Sequence, residues 1–413
     1  MKILNTIAIL LTLSAVFSYL NYRFIKLPTT IGIMLISLVL SLLLLISGKL
    51  GLFDVSHLVG ALIKGVDFHT TLINGMLSFL LFAGALHINL NELRKQKWVI
   101  LILATVGVIG STFIIGAMSW YILNALGLNI SFIYCLVFGA LISPTDPIAV
   151  LGILKTVGVP KSLEIKISGE SLFNDGVAVV VFLVLLGIAT GESEASMSSI
   201  GLLFLQEAIG GAVYGFIIGG LCFYMLRSVN NYQVEILLTL ALVMGGYAFA
   251  TAIHVSGPIA MVVAGLLIGN HGRVFAMSES TTEHLDTFWE LIDEILNAVL
   301  FLLIGLEVLI LVYRTEYFLA ALAIIPVVLL SRFISVGVPI QAMKKLREFS
   351  PGATRLLTWG GLRGGISVAL ALSLPQGTER EVILAVTYAV VIFSILVQGL
   401  TLGSVVRQVQ GKI

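Results

Sequence analysis

Charge is scarce in this chain of 413 residues: Asp, Glu, Lys and Arg make up only 11% of it, against roughly 25% in a typical soluble domain. That deficit, with 58% hydrophobic residues and a mean hydropathy of +1.09, excludes an ordinary soluble enzyme. An excess of either sign is also missing. Lys plus Arg is 23 and Asp plus Glu is 22, so the net charge of +1 makes no case for a nucleic-acid partner. Cysteine is nearly absent. Cys135 and Cys222 sit in apolar runs without metal-ligand spacing and read as small buried hydrophobes. No G-x-x-x-x-G-K-[ST] run is present, so no nucleotide is expected and any movement must draw on a gradient. Glycine is plentiful, 41 residues spread through apolar runs, as in helical membrane proteins.

A spanning helix needs about 20 apolar residues. Thirteen stretches are candidates, near 3–21, 27–47, 71–90, 98–123, 131–154, 167–189, 198–226, 234–252, 256–270, 286–313, 317–341, 356–374 and 383–406. The first is long and has no A-x-A-like cleavage site before the second, so it reads as a helix and not a signal peptide. The expected fold class is an all-α polytopic membrane protein. Sixteen of the 23 basic residues follow odd-numbered stretches, five lie on the other side, and Arg332 and Arg363 fall inside stretches. Basic residues favour the cytoplasm, which puts the N-terminus outside and the C-terminus inside. The loop 48–70 is mildly amphipathic, with Leu52, Phe53 and Leu58 among His57 and Lys64, and is expected on the outer surface.

An ionised side chain at mid-bilayer costs ~2.5–3.5 kcal/mol even on the lenient insertion scale, so each needs a reason. Three places concentrate such costs. The first is Ile142-Ser143-Pro144-Thr145-Asp146-Pro147 in the fifth stretch. Each proline removes a backbone donor and clashes with the preceding turn, so the helix must open. Open backbone at membrane depth survives only against protein or a cavity. Thr145 and Asp146 add oxygens beside the freed carbonyls, a donor set suited to a hard cation such as Na⁺.

The second place is Gly169-Glu170-Ser171-Leu172-Phe173-Asn174-Asp175-Gly176 in the sixth stretch. Residues four apart share a helix face, so Ser171 and Asp175 form one row and Glu170 and Asn174 the adjacent one. Asp175 lies about nine residues from the cytoplasmic end, ~14 Å deep and close to the midplane. No Lys or Arg within the stretch neutralises it, so its partner is another helix or a bound cation. The third is Trp359-Gly360-Gly361-Leu362-Arg363-Gly364-Gly365, where four glycines around one Arg loosen the helix and let other backbones approach. Plainer alternatives stay open: a proline kink capped by Asp146, a structural polar network around Asp175, and Arg363 snorkelling from a packing helix.

The fifth and twelfth stretches hold the same place in two six-stretch blocks on either side of a seventh, so the second block is inverted. Paired broken segments in inverted repeats mark the binding site of a secondary transporter. Arg332 lies in the apolar run 318–338. It is about nine residues from the cytoplasmic end, ~13 Å deep, and it stays charged, so it needs an acid or must snorkel. Glu170 enters from the same side, which predicts a Glu170–Arg332 pair with Asn174 adding a hydrogen bond. Glu290, Asp293, Glu294 and Asn297 share a face at the start of the tenth stretch, where acids suit the helix dipole or a cation-attracting funnel. His254 reads as a boundary histidine and Gln398 as an interhelical hydrogen-bond partner. Glu207 and Glu307 receive no role.

The three broken places resemble the signatures of bacterial NhaP-type sodium/proton antiporters, members of the monovalent cation:proton antiporter family and relatives of the animal sodium/proton exchangers. The segments 254–258, 288–294 and 393–401 are similar too, and the likeness covers essentially the whole chain. The resemblance implies a six-helix transport core crossed by two discontinuous helices, and a second bundle that forms a homodimer. The core takes 98–190 and 314–413, and the scaffold takes 1–97 and 191–313. It implies that Asp175 is the principal ion- and proton-binding carboxylate, with Thr145, Asp146 and Ser171 lining the same monovalent-cation site and Arg332 pairing with Glu170. Many relatives carry an acid where this chain has Ala83.

The resulting expectation is a secondary antiporter, not an enzyme, that exchanges Na⁺ or Li⁺ for H⁺ across a bacterial inner membrane. A proton and a cation compete for Asp175 while the protein alternates between its two sides. With Asn174 where a second carboxylate would make a pair, exchange is expected to be electroneutral. The rivals are a K⁺/H⁺ antiporter on the same scaffold, an intramembrane aspartyl hydrolase using Asp146 and Asp175, and an ion channel. Against the hydrolase, Asp146 sits between prolines beside a Thr. Against the channel, Arg332 and two discontinuous helices suit alternating access. The bilayer and a second copy are expected partners; a cofactor and a nucleic acid are not.

Overall fold

Short polar signals set the helix ends. The Asn89 side chain accepts hydrogen bonds from the backbone N–H groups of Asn91 (2.9 Å) and Glu92 (3.2 Å). Asn231, Ser256 and Ser278 cap three further helices in the same way, each satisfying donors that the first turn leaves orphaned. The computed structural model describes residues 2–50, 75–146, 150, 154, 161–191, 197–312, 314–345, 347, 349–409 and 411. Pro147 and most of the loop expected over 48–70 lie outside them.

The helices are α1 (Lys2–Leu20), α2 (Thr29–Lys49), α3 (Leu77–Leu86), α4 (Leu90–Ala125), α5 (Phe132–Ile142), α6 (Lys161–Thr190) and α7 (Met197–Arg227). They continue with α8 (Tyr232–Ala252), α9 (Gly257–Phe275), α10 (Glu279–Glu307), α11 (Thr315–Met343), α12 (Ala353–Trp359), α13 (Gly365–Leu372) and α14 (Thr378–Val409). Every one of the thirteen apolar stretches holds helix, and no strand occurs among the described residues. Nine of these helical segments are long and apolar enough to cross a membrane, and α3 and α5 are shorter apolar helices. The protein is an all-α polytopic membrane protein.

Two boundaries differ from the sequence expectation for a physical reason. At 36 residues α4 is longer than its apolar stretch. Its first two turns carry Arg94, Lys95 and Lys97, so the cap at Asn89 extends a polar helix beyond the bilayer. Likewise α10 starts at Glu279 behind the Ser278 cap and not near 286.

The apolar interior falls into two large clusters. One is built around α4, α5, α6, α11, α13 and α14, with α10 also contributing. The other draws on α3, α7, α8, α9 and α10. Two helices are interrupted inside this bundle. The first break follows α5 at Ser143, and the second separates α12 from α13 across Gly360–Gly364. Large apolar side chains such as Leu205, Ile209, Phe216 and Leu221 on α7 point outward, as a hydrocarbon-facing surface requires.

Candidate functional site

The two breaks meet. The backbone N–H of Asp146 donates to Leu362 O (2.8 Å), a hydrogen bond between one opened helix and the other. Arg363, 2% exposed, aims its guanidinium at the end of α5, where Nη1 donates to Ser143 O (2.5 Å) and Pro144 O (2.9 Å). Those carbonyls lost their helical partners when the prolines opened the chain, and a delocalised cation satisfies both. Snorkelling is thereby answered, since Arg363 turns inward. The Gly364 backbone lies against the Asp146 carboxyl, so closely that a Cβ there would collide with it. Asp146 thus faces the N-terminus of α13, whose unpaired N–H groups favour a carboxylate.

The last helix braces the second break. A π turn over Ser394–Gly399 lets Ser394 Oγ accept from the backbone N–H of Arg363 (2.9 Å) and donate to Gln398 Oε1 (2.8 Å). Gln398 Nε2 donates to Trp359 O (3.1 Å), so Gln398 is the interhelical partner expected of it.

On α6 the polar rows part company. Asn174 is fully buried and clamps Thr145: its Oδ1 accepts from the Thr145 N–H (3.3 Å), and its Nδ2 donates to Thr145 Oγ1 (2.9 Å). Thr145 Oγ1 also meets Ser171 Oγ at 3.0 Å. A hydroxyl oxygen accepts twice. One lone pair takes the Asn174 amide, the Thr145 proton can go to Ser171, and one lone pair is left for a cation. Glu170 and Arg332 form a buried ion pair, Nη1 to Oε1 at 2.5 Å, and Arg332 Nε also reaches Leu357 O (3.4 Å). Asn174 serves Thr145, not this pair.

A cavity of about 510 Å³ opens beside these groups, with Asp146, Asp175 and Thr145 in its wall. Asp175 and Asp146 are close enough to feel each other's charge. Ala83 borders the same cavity as a bare methyl, so the described wall holds no carboxylate at that position. Ser171 and Asn174 stand behind Thr145. Glu164, Glu290, Asp293, Glu294 and His87 line the same cavity. From the sequence, the acids of α10 sit at a helix start where the dipole accounts for them. The dipole fades within the first turn, and with α10 beginning at Glu279 these acids fall in its fourth and fifth turns. The helix dipole therefore does not account for them. The sequence carries that signal, since 290 and 294 share a face twelve and more residues past the Ser278 cap.

Helices interrupted in pairs, meeting at two carboxylates on a cavity inside a polytopic bundle, define a class of ion-handling membrane proteins. Residues 10–408 match the family described as sodium/hydrogen exchanger, transmembrane. The chain belongs to that family. It is 52% identical over 410 residues to the Na⁺/H⁺ antiporter NhaP of Pseudomonas aeruginosa, covering 98% of this chain and 97% of that one. It is 36% identical over 413 residues to the Na⁺/H⁺ antiporter NhaH of Halobacillus aidingensis, at 98% and 97% coverage. Its fold matches the sodium proton antiporter MjNhaP1 of Methanocaldococcus jannaschii at pH 8, with a TM-score of 0.78 over the full length of both chains at 18% identity.

Proposed function

We propose that this protein exchanges Na⁺ or Li⁺ for H⁺ across a bacterial inner membrane, one for one, with both substrates competing for Asp175. The observation that carries this reading is the shared cavity wall, where Asp175, Asp146 and Thr145 bring oxygen atoms together in a donor set suited to a hard monovalent cation. The other acids on that wall raise the local cation concentration. The names of the full-length relatives support the same ion pair. In this reading 98–190 and 314–413 form the moving core, 1–97 and 191–313 form a dimerising scaffold, and the N-terminus lies outside.

The test is dissipation of a preformed ΔpH in inside-out vesicles on addition of Li⁺, Na⁺ or K⁺. Na⁺ and Li⁺ should collapse the gradient and K⁺ should not. Equal responses to all three, or none, would overturn the ion assignment.

A further inference from the structure

Ser367 is the third residue of α13, and its hydroxyl has no partner inside the protein. The residue is 1% exposed, and its Oγ makes no hydrogen bond among the described residues. A serine hydroxyl inside a helix ordinarily turns back to a carbonyl one turn earlier. Ser143 Oγ does so to Gly139 O (2.6 Å) and Ser373 Oγ to Leu370 O (2.7 Å). For Ser367 the carbonyls one turn earlier belong to Arg363 and Gly364, in the opened chain before α13, where Gly364 is extended. The break therefore removes the usual acceptor. A buried hydroxyl left unmatched costs free energy, so this position calls for a partner that the chain itself does not supply.

That hydroxyl belongs to the ion cavity. Ser367 shares the cavity wall with Thr145, Asp146 and Asp175. Its place beside Asp146 follows from Gly364, the residue that caps α13. An ideal Cβ on Gly364 would stand 2.6 Å from Asp146 Cβ and 2.8 Å from its carboxyl carbon. Asp146 thus occupies the space that the side chain of a capping Ser or Asp would fill, and a capping side chain faces the second and third residues of its helix. The third residue is Ser367. A carboxyl from one broken helix and a hydroxyl from the other therefore meet at the first turn of α13.

We propose that Ser367 Oγ is a ligand of the transported cation, adding an oxygen of the second broken helix to those of the first. The inference rests on the antiport reading and deepens the same site. Hard cations gather about six oxygens, and the side chains of Asp175, Asp146 and Thr145 supply fewer. A neutral hydroxyl binds the cation but takes up no proton in this pH range. It therefore favours the cation over the proton in their competition for Asp175.

The test is Ser367→Ala in the full-length protein. In inside-out vesicles the apparent KM for Na⁺ and for Li⁺ should rise about fivefold, the scale of one neutral contact, with kcat unchanged. The dependence of KM on pH should keep its shape and shift upward in parallel, because the proton affinity of Asp175 is untouched. Thermal unfolding of the purified protein gives a readout apart from transport. In choline chloride the variant should melt at or above the wild-type Tm, since an unmatched hydroxyl is gone. The rise in Tm when Na⁺ replaces choline should shrink. A lower Tm in choline chloride, or a Na⁺-induced rise equal to that of the wild type, would show a structural hydroxyl and overturn the assignment. So would an unchanged KM. Absence of Na⁺-dependent proton movement in the wild type would instead overturn the antiport reading beneath it.

Discussion

Glu170 and Asp175 stand on the same helix, one turn and a half apart, at 1% and 7% exposure. Glu170 is held by Arg332 at 2.5 Å, behind the cavity. Asp175 faces the cavity, whose wall it shares with Asp146. A buried carboxylate with a permanent cation is a structural element, whereas one that faces an open cavity can trade counterions. The difference comes from position on the helix. A five-residue step turns Asp175 well over 100° around α6 from Glu170, toward the opened helices and away from α11.

The largest expected effect breaks the exchangeable side. Asp175→Asn should abolish Na⁺-dependent proton movement, because an amide neither binds nor releases a proton in this range. Insertion and thermal stability should be retained. In the wild type the apparent Na⁺ affinity should weaken as pH falls, since a larger share of the shared carboxylate is then protonated. Substantial exchange by the Asn variant in proteoliposomes would remove Asp175 from its role.

The structural side should fail differently. Removing either partner of a buried pair leaves an uncompensated charge, at a cost of ~3–5 kcal/mol. Glu170→Ala and Arg332→Ala should each lower Tm and folded yield, and the double variant should lose less than the sum. Strict additivity in a thermal unfolding series would mean the two charges do not stabilise each other.

A smaller effect belongs to the approach. Glu290 and Glu294 are exposed on the wall of the cavity that Asp175 also lines, and in the proposed reading they act on the cation through their field. Glu290→Gln with Glu294→Gln should raise KM for Na⁺ a few-fold at low ionic strength, with kcat unchanged. Screening should erase the difference in high choline chloride. A shift that survives high salt would make these acids direct ligands.

The contrast also separates what was legible in the sequence from what was not. Both breaks could be read directly, because Pro144 and the glycines around Arg363 act on their own backbone. The Glu170–Arg332 pair was legible from depth alone, since a buried Arg needs an acid at its own level. The Asn174 clamp on Thr145 was not, because it depends on where an opened chain comes to rest against α6. The same holds for the Ser394–Gln398 brace, which needs a π turn that no local residue announces. The start of α10 was misjudged because an apolar threshold ignores a polar first turn behind a Ser cap.

The smallest expected effect is no effect at all, and it tests the whole division between held and exchanging charge. Asn174 is an amide committed to Thr145 and has no proton to give. Glu170 is engaged by Arg332 and is unavailable. Asp146 lies against Gly364 at the N-terminus of α13, and the proposed exchange assigns it a charge that is held throughout. Ala83 contributes no acid. In the proposed exchange Asp175 is then the carboxyl that cycles, one proton leaves for each cation bound, and no net charge crosses. A membrane potential imposed with K⁺ and valinomycin across proteoliposomes should leave both the rate and the end-point of Na⁺-driven proton movement unchanged. A rate that follows the imposed potential would show net charge movement, and it would move Asp146 from the held set to the exchanging one.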